Sequence, residues 1–109
     1  MDITTFSALA EPSRLRIIEL LHGGPLTVGE IADRLGLRQP QASKHLRVLL
    51  EAGLVEVQAV ANRRNYYLRS EPFQEMDAWL ETYRSIWEER LDNLDNYLQK
   101  LQFKSDNEI

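Results

Sequence analysis

Gln39, Ser43, Lys44 and Arg47 occupy one short stretch, 39–50, and each side chain ends in a hydrogen-bonding head. At 100° per residue these four fall with Pro40 on one side of a helix, while Ala42, His45, Leu46 and Leu49 fall on the other. Glutamine can pair bidentately with adenine, and lysine or arginine can meet guanine or a phosphate. Serine is short enough to let a helix come close to its target. This is the chemistry needed by a helix whose N-terminal half lies in a DNA major groove. The plain alternative is the wet face of any surface helix.

Other reactive side chains are few. Arg63 and Arg64 stand next to a turn between two alternating stretches, where they would reach flanking backbone or minor groove in a salt-sensitive contact. An edge turn kept soluble by charge is the competing reading. His45 borders the apolar side of its helix and reads as a packed, hydrogen-bonded residue. His22 closes a helix, where a cation suits the dipole. A metal site needs three or four converging ligands, and these two histidines lack companions, so no metal and no cofactor are expected. There is no serine–histidine–acid set and no glycine-rich phosphate loop, so catalysis is not expected. Arg14 and Arg16 can pair with acids on neighbouring helices and are left out of the site.

The elements that must hold these residues follow from local signals. Ile3, Phe6 and Leu9 have helical spacing over 2–9. Pro12 suits a first helical turn, and Leu15, Ile18 and Leu21, with Ile17 beside them, stripe a helix over 12–22. Gly23-Gly24-Pro25 stops it. Thr27 with Glu30 makes a capping box for a short helix that Gly36 ends. Gly36-Leu37-Arg38 leaves room only for a tight turn before the helix that Pro40 opens and Ala52-Gly53 closes. Two short helices so joined form a helix-turn-helix. Val55 and Val57, then Tyr66 and Leu68, alternate with polar or exposed-side neighbours. This predicts a β-hairpin turning at Ala61-Asn62-Arg63, with Asn62 taking the left-handed conformation.

From Pro72 to about Phe103 one helical pattern continues. Phe73, Met76, Leu80, Tyr83, Trp87, Leu91, Leu94, Leu98 and Leu101 repeat at spacings of 3 and 4, an a/d-like seam. Such a helix is roughly 45 Å long, and so many large apolar residues cannot all find cover in one small chain. A second copy is therefore expected to pair through Ile3, Phe6, Leu80, Tyr83, Trp87, Leu91, Leu94 and Leu98. Trp79, Tyr83 and Trp87 either pack there or line a small-molecule pocket between C-terminal helices. The polar residues 104–109 read as a frayed tail.

The 109 residues are 43% hydrophobic and 28% charged, contain no cysteine, and suit one soluble globular domain with no disulfide or thiolate site. No apolar run is long enough for a membrane, and the N-terminus lacks signal-peptide character, so a cytoplasmic location is expected. The net charge of −4 is unevenly spread. Residues 11–69 carry nine Arg/Lys against six Asp/Glu, whereas residues 70–109 carry four against ten. A basic stretch followed by an acidic one is expected where one part meets phosphate and another faces solvent or a partner.

Specific words in the chain resemble the ArsR-type winged-helix repressors of bacteria and archaea. They run Leu9-Ala10-Glu11-Pro12-Ser13-Arg14-Leu15-Arg16-Ile17, then Leu26-Thr27-Val28-Gly29-Glu30-Ile31-Ala32. They continue with Leu37-Arg38-Gln39-Pro40-Gln41-Ala42-Ser43-Lys44-His45-Leu46, with 49–55, and with Arg64-Asn65-Tyr66-Tyr67-Leu68. The resemblance implies homodimers paired through their first and last helices that repress transcription from imperfect palindromes. It also implies that Gln39, Ser43 and Lys44 reach DNA. Two departures stand out. Thr27 and Gly29 hold positions where metal-sensing members place cysteines, and no histidine follows His45, so both familiar metal sites are missing. Arg38 replaces a small hydroxyl residue, removing a helix cap worth ~1 kcal/mol and adding a charge that could touch phosphate.

The expected fold is mainly α with a small β-hairpin, a winged helix-turn-helix with a long C-terminal dimerisation helix. Its DNA-binding core would be 11–69, and its dimerisation helices 1–10 and 72–103. The expected function is a homodimeric, metal-independent repressor that binds double-stranded DNA through Arg38, Gln39, Pro40, Ser43, Lys44, Arg47, Arg63 and Arg64. A regulator answering to an unknown small-molecule effector and a winged-helix protein-interaction module are the alternatives.

Overall fold

The computed structural model describes residues 2–107, with side chains through residue 102. The chain forms two units, one ending at Glu75 and one beginning at Met76. The first contains α1 (Ile3–Leu9), α2 (Pro12–Leu21), β1 (Leu26–Thr27), α3 (Val28–Leu35), α4 (Gln39–Glu51), β2 (Val55–Val60) and β3 (Arg63–Leu68). Helix α5 (Ser70–Asn107) begins there and makes up the second unit.

Each helix start has a local cause. Asp2 Oδ1 accepts from the Thr4 amide at 3.1 Å and caps α1. Glu11 does the same for α2 from the Arg14 amide at 2.8 Å, with Pro12 in the first turn. The Thr27–Glu30 capping box of α3 is complete. Gly36 then turns left-handed at φ 66°, a conformation that costs side-chain-bearing residues ~1–2 kcal/mol. Its amide donates to Asp33 O, and that of Leu37 to Ala32 O, which closes α3 in a Schellman arrangement. The chain is thereby redirected within three residues into α4.

These helices bury one continuous core. Ile17, Ile31, Leu46, Leu49, Leu54 and Val55 are its largest fully buried side chains. Each contributes ~1.5–3 kcal/mol relative to an exposed position. On α2 the inward arc is Ile17, Ile18 and Leu21, and Leu15, expected inward, is 43% exposed. Leu15 lies roughly 110° from the centre of that arc at 100° per residue, outside what the core covers.

The sheet is antiparallel in the order β1-β3-β2, so a third strand joins the expected hairpin. Leu26 pairs with Tyr66 and Thr27 with Asn65. The hairpin register runs from Val55 opposite Leu68 to Val60 opposite Arg63. The turn is therefore Ala61-Asn62, and Arg63 is the first residue of β3 rather than part of the turn. The left-handed residue is Ala61, at φ 56°, not Asn62. The two-residue connection requires positive φ at its first position, whatever residue stands there.

Helix α5 continues to Asn107, through the polar stretch expected to fray. Residues 108–109 of that stretch lie outside the described residues. Among the described residues, no helix is long and apolar enough to cross a membrane.

Ala61→Gly tests the turn. Relief of the left-handed alanine, ~1–2 kcal/mol, exceeds the added backbone entropy of glycine, ~0.5–1 kcal/mol. Chemical denaturation should show a stabilisation of about 0.5–1 kcal/mol with unchanged m-value. A destabilised variant would mean that the hairpin turns differently.

Candidate nucleic-acid interface

Helix α4 is sealed on one side. Ala42, Leu46 and Leu49 are all at 0% exposure, against the buried side chains of α2 and α3. Three anchors one turn apart leave the helix no freedom to roll. The opposite side is set by that constraint, and Gln39, Pro40, Ser43, Lys44 and Arg47 are all exposed on it. Arg38 is exposed immediately before the helix, and Arg38, Pro40, Gln41 and Lys44 line one shallow groove of about 310 Å³. The two cations of that groove are the natural partners of an anion.

The start of α4 differs from the expectation in one respect. Arg38 makes no side-chain cap, but Gln41 Oε1 accepts from the Arg38 amide at 3.0 Å. Half of a capping box is thus present. Glutamine three residues after the cap position is the signal that reveals it in sequence. The same bond ties the Gln41 side chain to backbone.

Arg63 and Arg64 are exposed at the start of β3, opposite Val60 and Ala59 in the strand register. Arg63 has a link that spacing does not reveal. The Glu30 carboxyl is held below the ordinary glutamate value of 4.5. The main cause is the Thr27 amide, which donates to Glu30 Oε1 at 3.2 Å, followed by the Thr27 hydroxyl at 3.0 Å. Desolvation opposes these, and the charges of Arg63 and Arg34 add to them. The capping acid of α3 therefore also attracts the base of the hairpin arginine pair.

His45 and Arg14 take structural places. His45 Nδ1 lies 3.7 Å from Glu11 Oε2. Arg14, expected to pair with an acid side chain, instead donates from Nε to Ala8 O at 2.6 Å and from Nη2 to Ser7 O at 3.3 Å. Those carbonyls belong to the last turn of α1, where a guanidinium supplies missing donors. Among the described residues no group of three or more His, Cys, Asp or Glu is arranged to hold a metal ion.

The residues expected to pair two copies are all exposed in the single chain. Ile3 is 79% and Phe6 36% exposed. Leu80, Tyr83, Trp87, Leu91, Leu94 and Leu98 are exposed along α5, joined by Ile86 and Tyr97, which the 3–4 spacing passes over. Trp79 and Tyr83, one turn apart, meet edge to face with ring centroids 4.9 Å apart.

A short helix set against a sealed, exposed-faced helix and followed by a basic hairpin defines a winged helix-turn-helix. Known proteins agree with this assignment. A helix-turn-helix domain model matches residues 9–58. Over 75 residues the chain is 31% identical to the transcriptional repressor SdpR of Bacillus subtilis, a match covering 69% of this chain and 83% of that protein. The crystal structure of an ArsR family transcriptional regulator, 32% identical, superposes with a TM-score of 0.67 over 78% of this chain and 88% of that one. Also similar is the homodimeric winged helix-turn-helix DNA-binding domain of Mb0332 from Mycobacterium bovis, a possible ArsR-family regulator. It is 30% identical with a TM-score of 0.63, over 76% and 77% of the two chains. The chain belongs to the ArsR family of DNA-binding transcriptional regulators.

The lowered Glu30 carboxyl yields a pH prediction. Because its folded value lies below 4.5, the stabilisation is present above that value and is lost as pH falls through the lower, folded one. Glu30→Gln keeps an acceptor for the Thr27 amide but no charge. The variant should be less stable than the parent at pH 7, and the gap should close in acid. A gap that stays constant from pH 7 to pH 3 would show that ionised Glu30 does not support α3.

Proposed function

We propose that the protein is a homodimeric, metal-independent repressor that reads an imperfect palindrome in duplex DNA. The observation that carries this reading is the fixed roll of α4, which turns Gln39, Ser43, Lys44 and Arg47 outward. In this reading Gln39 and Ser43 meet base edges, and Lys44 and Arg47 meet guanine or phosphate. Arg38, Pro40 and the arginines of the hairpin border the same duplex. Metal independence is supported by Thr27 and Gly29, which offer no thiolate where metal-sensing members have cysteine.

Dimerisation is supported by the uncovered apolar stripe of α5 and by the homodimeric state of the Mycobacterium bovis relative. Two copies related by a twofold axis would present two α4 helices about one DNA turn apart, roughly 34 Å. Binding there would exclude other proteins from the same DNA, which is the simplest route to repression.

Two sets of variants test this. Gln39→Ala should relax preference at one base position in each half-site, by ~1–3 kcal/mol. Lys44→Ala should weaken binding to all duplexes alike and lower the salt slope by about 1. Fluorescence anisotropy on duplexes enriched from random sequence distinguishes the two patterns. Equal binding by all three proteins would remove α4 from the contact. Separately, Leu94→Glu should turn the dimer into a monomer in light scattering at micromolar concentration without loss of helical signal from the first unit. A parent protein that is already monomeric would refute the layout.

A further inference from the structure

Glu11 caps α2, yet glutamate is seldom found in that position. Aspartate, asparagine, serine and threonine are preferred there because their short side chains fold directly onto the following amides. The longer side chain here does two things. Its Oε2 accepts from the Arg14 amide at 2.8 Å and, with the same atom, faces His45 Nδ1 of α4 at 3.7 Å. Both side chains are largely sheltered, with 22% exposure for His45 and 33% for Glu11, so the contact is screened less than a surface pair. Arg14 in turn holds Ser7 O and Ala8 O of α1 through its guanidinium. One carboxylate oxygen therefore joins the start of α2 to the side of α4, and its amide partner carries the link on to α1.

We propose that Glu11 is a positioning residue for DNA reading, setting the angle of α4 through His45 while it caps α2. The apolar anchors Ala42, Leu46 and Leu49 fix the roll of α4 about its axis, but their side chains carry no directional bonds. Apolar packing alone tolerates small tilts, whereas base-edge hydrogen bonds lose strength over a few tenths of an ångström. The Glu11–His45 contact, at 3.7 Å longer than a hydrogen bond, adds a polar tie between α2 and α4 that the apolar anchors lack. Among the described residues of the first unit, it is the carboxylate–imidazole contact that reaches α4 from another element. The inference rests on α4 being the reading helix.

The two roles of Glu11 separate by substitution. Glu11→Asp keeps, and by propensity improves, the cap, but withdraws the carboxylate from His45 by about 1.5 Å, one carbon–carbon bond. His45→Leu removes the imidazole and favours the helix, whereas His45→Asn keeps a polar group near the Nδ1 position with no gain in helix propensity and less packing. Stability and DNA reading are thus driven in opposite directions. The probe is a duplex enriched by the parent protein from random sequence, compared with an unrelated duplex of equal length, alongside thermal unfolding of each variant.

Glu11→Asp and His45→Leu should each unfold at or above the parent temperature, yet lose about five- to tenfold in affinity for the enriched duplex with unchanged affinity for the unrelated one. The double variant should lose no more than either single. His45→Asn should keep most of the discrimination despite lower stability. Affinity that follows stability across the set, or losses that multiply in the double variant, would overturn the proposal while leaving α4 as the reading helix. A parent protein that enriches no sequence would overturn both.

Discussion

The roll of α4 is the constraint on which the remaining structure depends. A major groove admits one helix, and only side chains aimed within a narrow arc reach base edges. A helix held by a single apolar contact could turn by tens of degrees at little cost, and its reading side chains would sweep across the groove wall. Ala42, Leu46 and Leu49 prevent this by filling three successive core positions with no exposure. Their partners, Ile17 and Ile31, come from α2 and α3, so the helices before α4 exist in large part to define its back face. The small size of Ala42 matters here. It lets the N-terminal half of α4, where Gln39, Ser43 and Lys44 lie, approach the core.

Electrostatics explain how an acidic chain can still meet phosphate. A net charge of −4 would repel DNA if it were spread evenly. The nine bases of residues 11–69 include those around α4 and the hairpin, while ten of the acids lie at or beyond Glu71. At physiological salt, charges separated by more than ~8 Å of solvent are largely screened from each other, so local sign outweighs net sign. Glu30 shows the finer arrangement: an acid within the basic stretch, held by Thr27 and neighbouring Arg63 and Arg34. It serves α3 as a cap, and the charges of Arg63 and Arg34 help to hold its carboxyl low.

Much of this was legible because the signals are local. Pro12, Thr27 with Glu30, Gly36, Pro40 and Gly53 each act on the backbone within a few residues, and they place α2, α3 and α4 correctly. The wheel over 39–50 separates the two faces of α4 because its buried set is unambiguous. What escaped depends on distant or very short features. Strand β1 is two residues long, too short for any period, and exists only because Leu26 and Thr27 meet Tyr66 and Asn65. Leu15 is apolar and helically spaced, but it points away from the buried arc of α2. Ala61 takes the left-handed turn position because the register of two strands puts it there, against its own preference. The Glu11–His45 contact joins residues far apart in sequence whose separate local roles are each sufficient to explain them.

The C-terminal helix raises a different physical question, because beyond Met76 the apolar stripe of its described residues is exposed in the single chain. Leu80, Tyr83, Trp87, Leu91, Leu94 and Leu98 are all exposed, and a patch of that extent marks an association surface in a soluble protein. An isolated helix gains little from amphipathicity until a second surface faces it. If that surface is the same stripe on a second copy, two acid-rich helices must lie side by side, and their like charges oppose the apolar contact. Salt then acts with opposite sign on the two halves of the proposed assembly. It weakens the arginine and lysine contacts to phosphate, and it strengthens helix pairing by screening the acids. The division of charge along the chain thus separates the forces that hold the protein together from those that hold it on DNA.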